Sequence, residues 1–253
     1  YLADELIRDP ESFDLLRLTE GQPVPLAALC DDLCTEIETA GFHEKTVMEL
    51  LRRFKRRETM RIAYGDVIRD QRLEIVTQQN SYLAEAICRA ALQAAWRTVE
   101  SKRGLPRRGD GTPARFAVLA LGKLGGFELD YSNKIDLLFI GDADGQTDGE
   151  RRISSLEFCD RVANTFVRLL SEATALGEAY HVNVRLQPEG AQGSLVHSVE
   201  NTLQYFDASG RTWDRQTLIK ARPIAGHFDL AGELLQQLEP WIYRRYLSPT
   251  DIG

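Results

Sequence analysis

The chain has 253 residues, of which 43% are apolar and 27% charged, a composition typical of a globular protein and not of a disordered, collagen-like or coiled-coil chain. Its 31 basic and 38 acidic residues give a net charge of −7, so no overall positive charge favours nucleic acid. No apolar run reaches the ~18 residues of a membrane-spanning helix, and four cysteines are too few for a disulfide framework. We therefore predict a cytoplasmic protein that binds neither nucleic acid nor a membrane.

Because the sequence begins with Tyr1, we expect a fragment of a longer protein.

Helical patterns fill the chain up to about residue 103. Apolar residues recur at spacings of three and four, which is the period of a helix with one buried face. Helices are predicted over residues 1–18, 26–40 and 44–64, and a longer one ends near residue 99. Residues 1–103 are therefore interpreted as an N-terminal helical region.

A run of basic residues lies within the third of these helices. Arg52, Arg53, Lys55, Arg56 and Arg57 would suit a nucleic-acid surface, but on a helix they spread around most of the circumference. We favour the interpretation that they form a solvated face.

Residues 104–115, rich in glycine, proline and charge, are predicted to be a linker. Short apolar runs at 116–121 and 134–140, each followed by glycine, predict two strands of a buried sheet. An amphipathic helix is expected over 153–175, and strict alternation over 180–187 predicts a third strand with one polar face. These elements define a core over residues 116–190.

Residues 191–253 are predicted to form a C-terminal helical tail. Helices are expected over 199–208, 213–222 and about 230–246. Pro223 and the glycine at 226 indicate a break between the last two helices.

A glycine-rich turn follows the first predicted strand. Gly122, Lys123, Gly125 and Gly126 could bring backbone N–H groups and a positive charge to a phosphate group. The alternative is a tight strand-to-helix turn in which glycine serves the backbone alone.

The second strand carries Asp136 on the same face as Lys134. The third strand places Asn183 and Arg185 on its polar face, where they could meet Asp136 across the sheet. A glycine turn followed by an acidic strand and a later polar strand is an arrangement that can hold magnesium and a nucleoside triphosphate. Spacing alone leaves this nucleotidyltransferase site and a merely solvated sheet face as open alternatives.

Five longer motifs resemble the glutamine synthetase adenylyltransferase family, a branch of the DNA polymerase beta-like nucleotidyltransferases. They are LRRFKRRE at 51–58, GKLGGxELxYSxxIDL at 122–137, VRLxPEG at 184–190, TWDRQxLIKARP at 212–223 and YRRYL at 243–247. The resemblance implies an α/β (α+β) nucleotidyltransferase sheet core flanked by the N-terminal helical region and the C-terminal tail.

Proteins of this family have two related halves, one that attaches AMP from ATP to glutamine synthetase and one that removes it by phosphorolysis as ADP. The motifs here are closer to the N-terminal, adenylyl-removing half. The resemblance thus implies control of glutamine synthetase in nitrogen metabolism, with ATP, ADP or AMP as substrate or ligand and Mg²⁺ as cofactor. It implies glutamine synthetase, a PII signalling protein and the second nucleotidyltransferase half of the same polypeptide as partners.

The resemblance also implies roles for individual residues. Asp136 corresponds to a catalytic metal ligand, and Arg185 is expected to orient phosphate or AMP. The residues expected to contact nucleotide or phosphate are Gly122, Lys123, Gly125, Gly126, Ser132, Lys134, Asn183, Lys220 and Arg222.

Two of the three metal carboxylates of the family pattern are replaced in this sequence. Where the family has Ser-Asp-Ile-Asp, this chain has Asn133, Lys134, Ile135 and Asp136, and Asn183 stands at the third carboxylate position. Because magnesium prefers carboxylate and phosphate oxygens, we expect magnesium binding to be weak or lost. Lys134 is expected to replace part of the cation's charge, or to be an exposed lysine without a role. The chain is therefore either an adenylyl-transferring or adenylyl-removing enzyme domain, or a catalytically degenerate regulatory domain.

Overall fold

The computed structural model describes residue 16 and residues 19–184 and 193–243. Within these ranges, eight delimited helices and two β-sheets form a mixed α/β fold, which confirms the predicted fold class. The helices are α1 (Leu26–Ala40), α2 (Glu44–Val67), α3 (Leu73–Arg103), α4 (Gly122–Gly125), α5 (Ser155–Ser171), α6 (Val199–Ser209), α7 (Thr212–Leu218) and α8 (Phe228–Ile242). The strands are β1 (Pro106–Arg107), β2 (Phe116–Ala120), β3 (Lys134–Gly141), β4 (Gln146–Thr147), β5 (His181–Asn183), β6 (Val196–His197) and β7 (Arg222–Gly226).

Some predictions concern residues outside the described ranges. They are nearly all of the predicted helix over 1–18, the site residue Arg185, most of the motif at 184–190 and all but the first residue of the motif at 243–247.

The central sheet has the strand order β5-β3-β2-β7, and β6 also pairs with β3. β2 and β3 are antiparallel, with Leu119 opposite Leu138. β5 runs parallel to β3 on the other side, with Asp136 opposite Asn183. This register brings the two predicted polar strand faces side by side.

The two faces of the sheet belong to different hydrophobic clusters. Val118, Leu137 and Phe139 face a cluster that contains α3 and α5. Leu119 and Leu138 face a second cluster that contains α6 and α8. By strand alternation, Lys134 and Asp136 lie on the same side as Leu138, towards the end where β3 begins.

The helical region packs directly on the sheet. Leu33 of α1, Leu51 of α2 and Ile87 of α3 belong to the same buried cluster as Val118. Residues 104–115, between α3 and β2, are largely exposed but include β1, which pairs with β4. The domain limits at 103, 115 and 190 stay predictions.

The predicted helix over 213–222 is observed but ends earlier, and the predicted break at 223–226 is wrong. Helix α7 ends at Leu218, and Arg222–Gly226 forms β7, which pairs antiparallel with β2. Proline is tolerated there because β7 lies at the edge of the sheet, the place in a sheet where a residue without an N–H is usually found. A register shift between Val118 and Leu119 accompanies the pairing.

The interpretation of the basic run in α2 as a solvated face is also wrong. Arg52 is only 3% exposed, and its guanidinium donates to the carbonyl oxygens of Met48, Leu169 and Gly177 at 2.7–3.0 Å and to that of Glu172. Arg52 therefore joins α2 to the end of α5, a role that charge counting along the helix could not reveal.

Candidate functional site

Asp136 and Asn183 form the centre of the candidate site. Both side chains are partly buried, and Asn183 Nδ2 donates a hydrogen bond to Asp136 Oδ1 at 2.5 Å. If the Asn183 amide were turned around, its oxygen would lie against the Asp136 carboxylate oxygen, and two acceptors would face each other. The orientation with the amide nitrogen towards Asp136 is therefore the favoured one. The residue at the third carboxylate position thus presents a donor to Asp136, where a metal would need an acceptor.

The glycine turn lies directly beside Asp136. Leu121 N–H donates to the Asp136 carbonyl oxygen at 3.0 Å, and Gly122 has a φ of +55°, with Asp136 Oδ2 3.4 Å from the position that a Cβ would take. A Cβ on Gly125 would overlap the carbonyl oxygen of Lys220. The structure thus gives backbone reasons for both glycines, and their binding of phosphate stays a prediction.

Three predicted phosphate-binding cations have carboxylate partners. Lys123 Nζ lies 2.6 Å from Asp130, and Lys220 Nζ lies 2.5 Å from Glu128. The third, Arg222, lies 2.6 Å from a carboxylate of α3 and also donates to two carbonyl oxygens of α4. The positive charges of the two lysines are therefore each balanced by one carboxylate within the protein.

Ser132 belongs to the same loop as Asp130. Its backbone N–H donates to Asp130 Oδ1 at 3.0 Å. The hydrogen bond from Lys123 is the largest cause that lowers the Asp130 pKa to about 2, and the bonds from Ser132 add to it. In return, this carboxylate raises the pKa of Lys123.

Lys134 is exposed at the start of β3, and its register partner on β5 is His181. Strand alternation places its side chain on the same face as Asp136, as the sequence predicts. Lys134 therefore places a positive charge, and not a metal ligand, on this face of the sheet.

The described residues do not fit a magnesium site. Asp136 is the one carboxylate that remains of the three in the family pattern, it already accepts a hydrogen bond from Asn183, and Lys134 shares its face. Among the described residues, no group of three or more His, Cys, Asp or Glu side chains could hold a metal ion. Magnesium requires several oxygen ligands in octahedral geometry, which this arrangement does not supply.

Sequence reasoning missed Glu85, the partner of Arg222. This glutamate of α3 is 1% exposed and lies between Arg222 and Arg89, at 2.6 Å from each. Its place between Ala84 and Ala86, on a helix with a long apolar stripe, is the signal that could have identified it as buried.

The sheet with helices on both faces, and the glycine turn beside a strand aspartate, define a nucleotidyltransferase-like core. Comparison with known families agrees with this class, because a family profile described as glutamate-ammonia ligase adenylyltransferase matches residues 1–237. The chain belongs to this family.

Curated relatives give the same result. Over 211 residues the chain is 39% identical to a bifunctional glutamine synthetase adenylyltransferase/adenylyl-removing enzyme of Thioalkalivibrio sulfidiphilus, which covers 83% of this chain and 22% of the relative. The protein of the same name from Xanthomonas oryzae is 34% identical over 250 residues, which are 99% of this chain and 26% of the relative. The one from Hahella chejuensis is 34% identical over 252 residues, which are 98% of this chain and 26% of the relative. The chain thus spans about a quarter of the length of these relatives.

None of the described helices is both long and apolar enough to span a membrane.

Proposed function

We propose that this chain is a regulatory nucleotidyltransferase-fold domain of a bifunctional glutamine synthetase adenylyltransferase/adenylyl-removing enzyme, and that it does not itself transfer AMP. It takes the place of the adenylyl-removing half, and glutamine synthetase is the target of the whole protein. The relatives' names support the target. A PII signalling protein and the second nucleotidyltransferase half are the partners that the family resemblance implies.

The observation that carries the proposal is the contact between Asn183 and Asp136. Nucleotidyl transfer needs metal ions that neutralise phosphate charge and position the reacting oxygens. At this site an amide nitrogen lies 2.5 Å from the one remaining carboxylate, and Lys134 stands two residues before it on the same strand face. A nucleotide can bind such a site weakly and without metal, but the site lacks the ligands that hold the catalytic ion.

The ion pairs around the glycine turn support the same conclusion. Lys123 and Lys220 contact Asp130 and Glu128, so a phosphate group would have to displace a carboxylate to reach either lysine. These ion pairs stabilise the glycine turn from within the chain, which supports a structural role for the turn.

A phosphorolysis assay tests the proposal. AMP-modified glutamine synthetase, inorganic phosphate and Mg²⁺ are incubated with the 253-residue chain, and ADP release is followed. The same assay is run on the double variant Lys134→Asp, Asn183→Asp, which restores the family carboxylates, and on this variant with Asp136→Asn as the matched control.

We expect no ADP release above background from the native chain. Release by the double variant, lost again on Asp136→Asn, would show that the fold keeps the rest of the catalytic site. Release by the native chain at an enzymatic rate would overturn the proposal.

A further inference from the structure

A large cleft lies between α2 and the loop that precedes β3. Its volume is about 1120 Å³, which is ample for a small-molecule ligand. One stripe of α2, from Lys55 through Thr59 and Ala63 to Val67, forms one wall, and Tyr131 and Asn133 lie on another. Of the predicted site residues that the structure describes, only Ser132 lines it.

Asn80 of α3 also lines this cleft and has an unmet hydrogen-bonding capacity. The residue is 5% exposed, and its Nδ2 atom has no hydrogen-bond partner among the described residues. A buried donor without an acceptor is destabilising, and nearly all buried donors in proteins have a partner, which can be an ordered water or a bound group. Asn80 thus offers a donor to an acceptor atom in the cleft.

Lys55 supplies a positive charge that its contacts do not neutralise. Its ammonium group donates to Asn133 Oδ1 and, at 2.5 Å, to the Ala179 carbonyl oxygen, and it lies 4.1 Å from the centre of the Tyr180 ring. These are neutral groups, and within the described part of the chain no carboxylate lies within 4 Å of the ammonium group. Lys123 and Lys220, by contrast, each have a carboxylate partner.

The cleft also has an apolar surface. Val67 is 67% exposed and Leu176 is 43% exposed, and both line the cleft. A ligand with an apolar body could bury part of these side chains, and removing apolar area from water would favour its binding.

We propose that this cleft binds a small organic anion, whose phosphate or carboxylate group lies against Lys55, with Asn80 donating to one of its acceptor atoms and its apolar body against Val67 and Leu176. The inference does not depend on the proposed function. Asp136 lies on the face of the sheet opposite to the cluster that contains α2, so the two sites can be tested separately.

The pH dependence of binding follows from Lys55. Burial lowers the pKa of Lys55 to about 8. The negative charge of Glu178 opposes this shift, and the positive charge of Arg52 adds to it. The other charged groups that line the cleft are Arg52 and Arg56 of α2 and the carboxylates of Asp66, Asp130 and Glu178, with the phenols of Tyr131 and Tyr180. Asp66 accepts a hydrogen bond from Tyr131, and Asp130 pairs with Lys123. An anion binds the protonated amine, so affinity should fall as the pH rises through 8, and this dependence should disappear in Lys55→Met.

Isothermal titration calorimetry with phenyl phosphate and benzoate tests the proposal on the 253-residue chain. The two probes share an apolar ring and distinguish a phosphate from a carboxylate ligand. The test variants are Lys55→Met and Asn80→Leu, and Lys102→Met, an exposed lysine of α3, is the matched control. Lys134→Met reports whether the anion binds beside Asp136 instead, and thermal unfolding of each variant reports whether it folds.

We expect saturable binding of at least one probe, weakened at least about tenfold by each test variant and changed less than about twofold by the Lys102 and Lys134 variants. Asn80→Leu should fold at least as stably as the native chain, since it removes a buried donor without a partner. Three results would overturn the proposal: no saturable binding of either probe, unchanged affinity in either folded test variant, or loss of binding in Lys134→Met.

Discussion

The guanidinium group of Arg222 lies 2.6 Å from the buried carboxylate of Glu85, in the middle of α3. The same guanidinium donates to the carbonyl oxygens of Gly125 and Leu124 at 3.1 and 3.3 Å. One residue of the helical region thus holds the end of the glycine turn beside Asp136, which couples the helices to the candidate site.

Glu85→Ala should destabilise the protein by about 3–5 kcal/mol, because it leaves two arginines without their buried partner. Urea unfolding measures the loss. Glu100→Ala, on the same helix and without such a contact among the described residues, should cost less than about 0.5 kcal/mol. Equal stability of the two variants would show that the Glu85 pairs contribute nothing.

Gly125→Ala should destabilise the chain by about 1–3 kcal/mol, because the added Cβ overlaps the carbonyl oxygen of Lys220 and must push two backbone segments apart. Gly232→Ala is the matched control, since no atom of the described residues lies within 4 Å of its Cβ position. In α8 this alanine should stabilise by about 0.5–1 kcal/mol. Denaturant unfolding of both variants checks the prediction, which fails if Gly125→Ala is neutral.

Arg52→Met should cost about 3 kcal/mol, because carbonyl oxygens at the end of α5 and in the loop after it lose their buried donor. The neighbouring Arg53 is exposed, and Arg53→Met should change stability by less than about 0.5 kcal/mol. If thermal unfolding finds both variants alike, Arg52 does not join the two helices as described.

The stability of the native chain relative to Lys55→Met should rise with pH between about 8 and 10.4. The folded-state pKa of Lys55 is lowered to about 8 by burial, whereas the unfolded value is about 10.4. In this window the unfolded state binds more protons, so the free energy of unfolding increases with pH. Urea unfolding at several pH values measures the difference, and a flat or falling difference contradicts the lowered pKa.

Periodicity predicted α1 at its observed limits and α5 to within four residues, since both helices bury one regular stripe. It missed β7 because Arg222 and Pro223 do not look like strand residues, and only pairing with β2 gives them that structure. Local pattern contains no information on such pairing.

For the candidate site, strand alternation predicted that Asp136, Lys134 and Asn183 share one face. The sequence could not show that Asn183 donates to Asp136, because that depends on register across the sheet. Nor could it show that Lys123 and Lys220 are paired, because their partners Asp130 and Glu128 become neighbours only when the turn folds.

Metal binding tests the central claim most directly. Mg²⁺ is titrated calorimetrically into the native chain, into Lys134→Asp, Asn183→Asp and into that double variant with Asp136→Asn, in phosphate-free buffer. The contact between Asn183 and Asp136 predicts no saturable binding to the native chain up to about 10 mM, binding to the double variant with a Kd of the order of 1 mM or below, and loss of that binding on Asp136→Asn. Saturable Mg²⁺ binding to the native chain that disappears on Asp136→Asn would contradict the account.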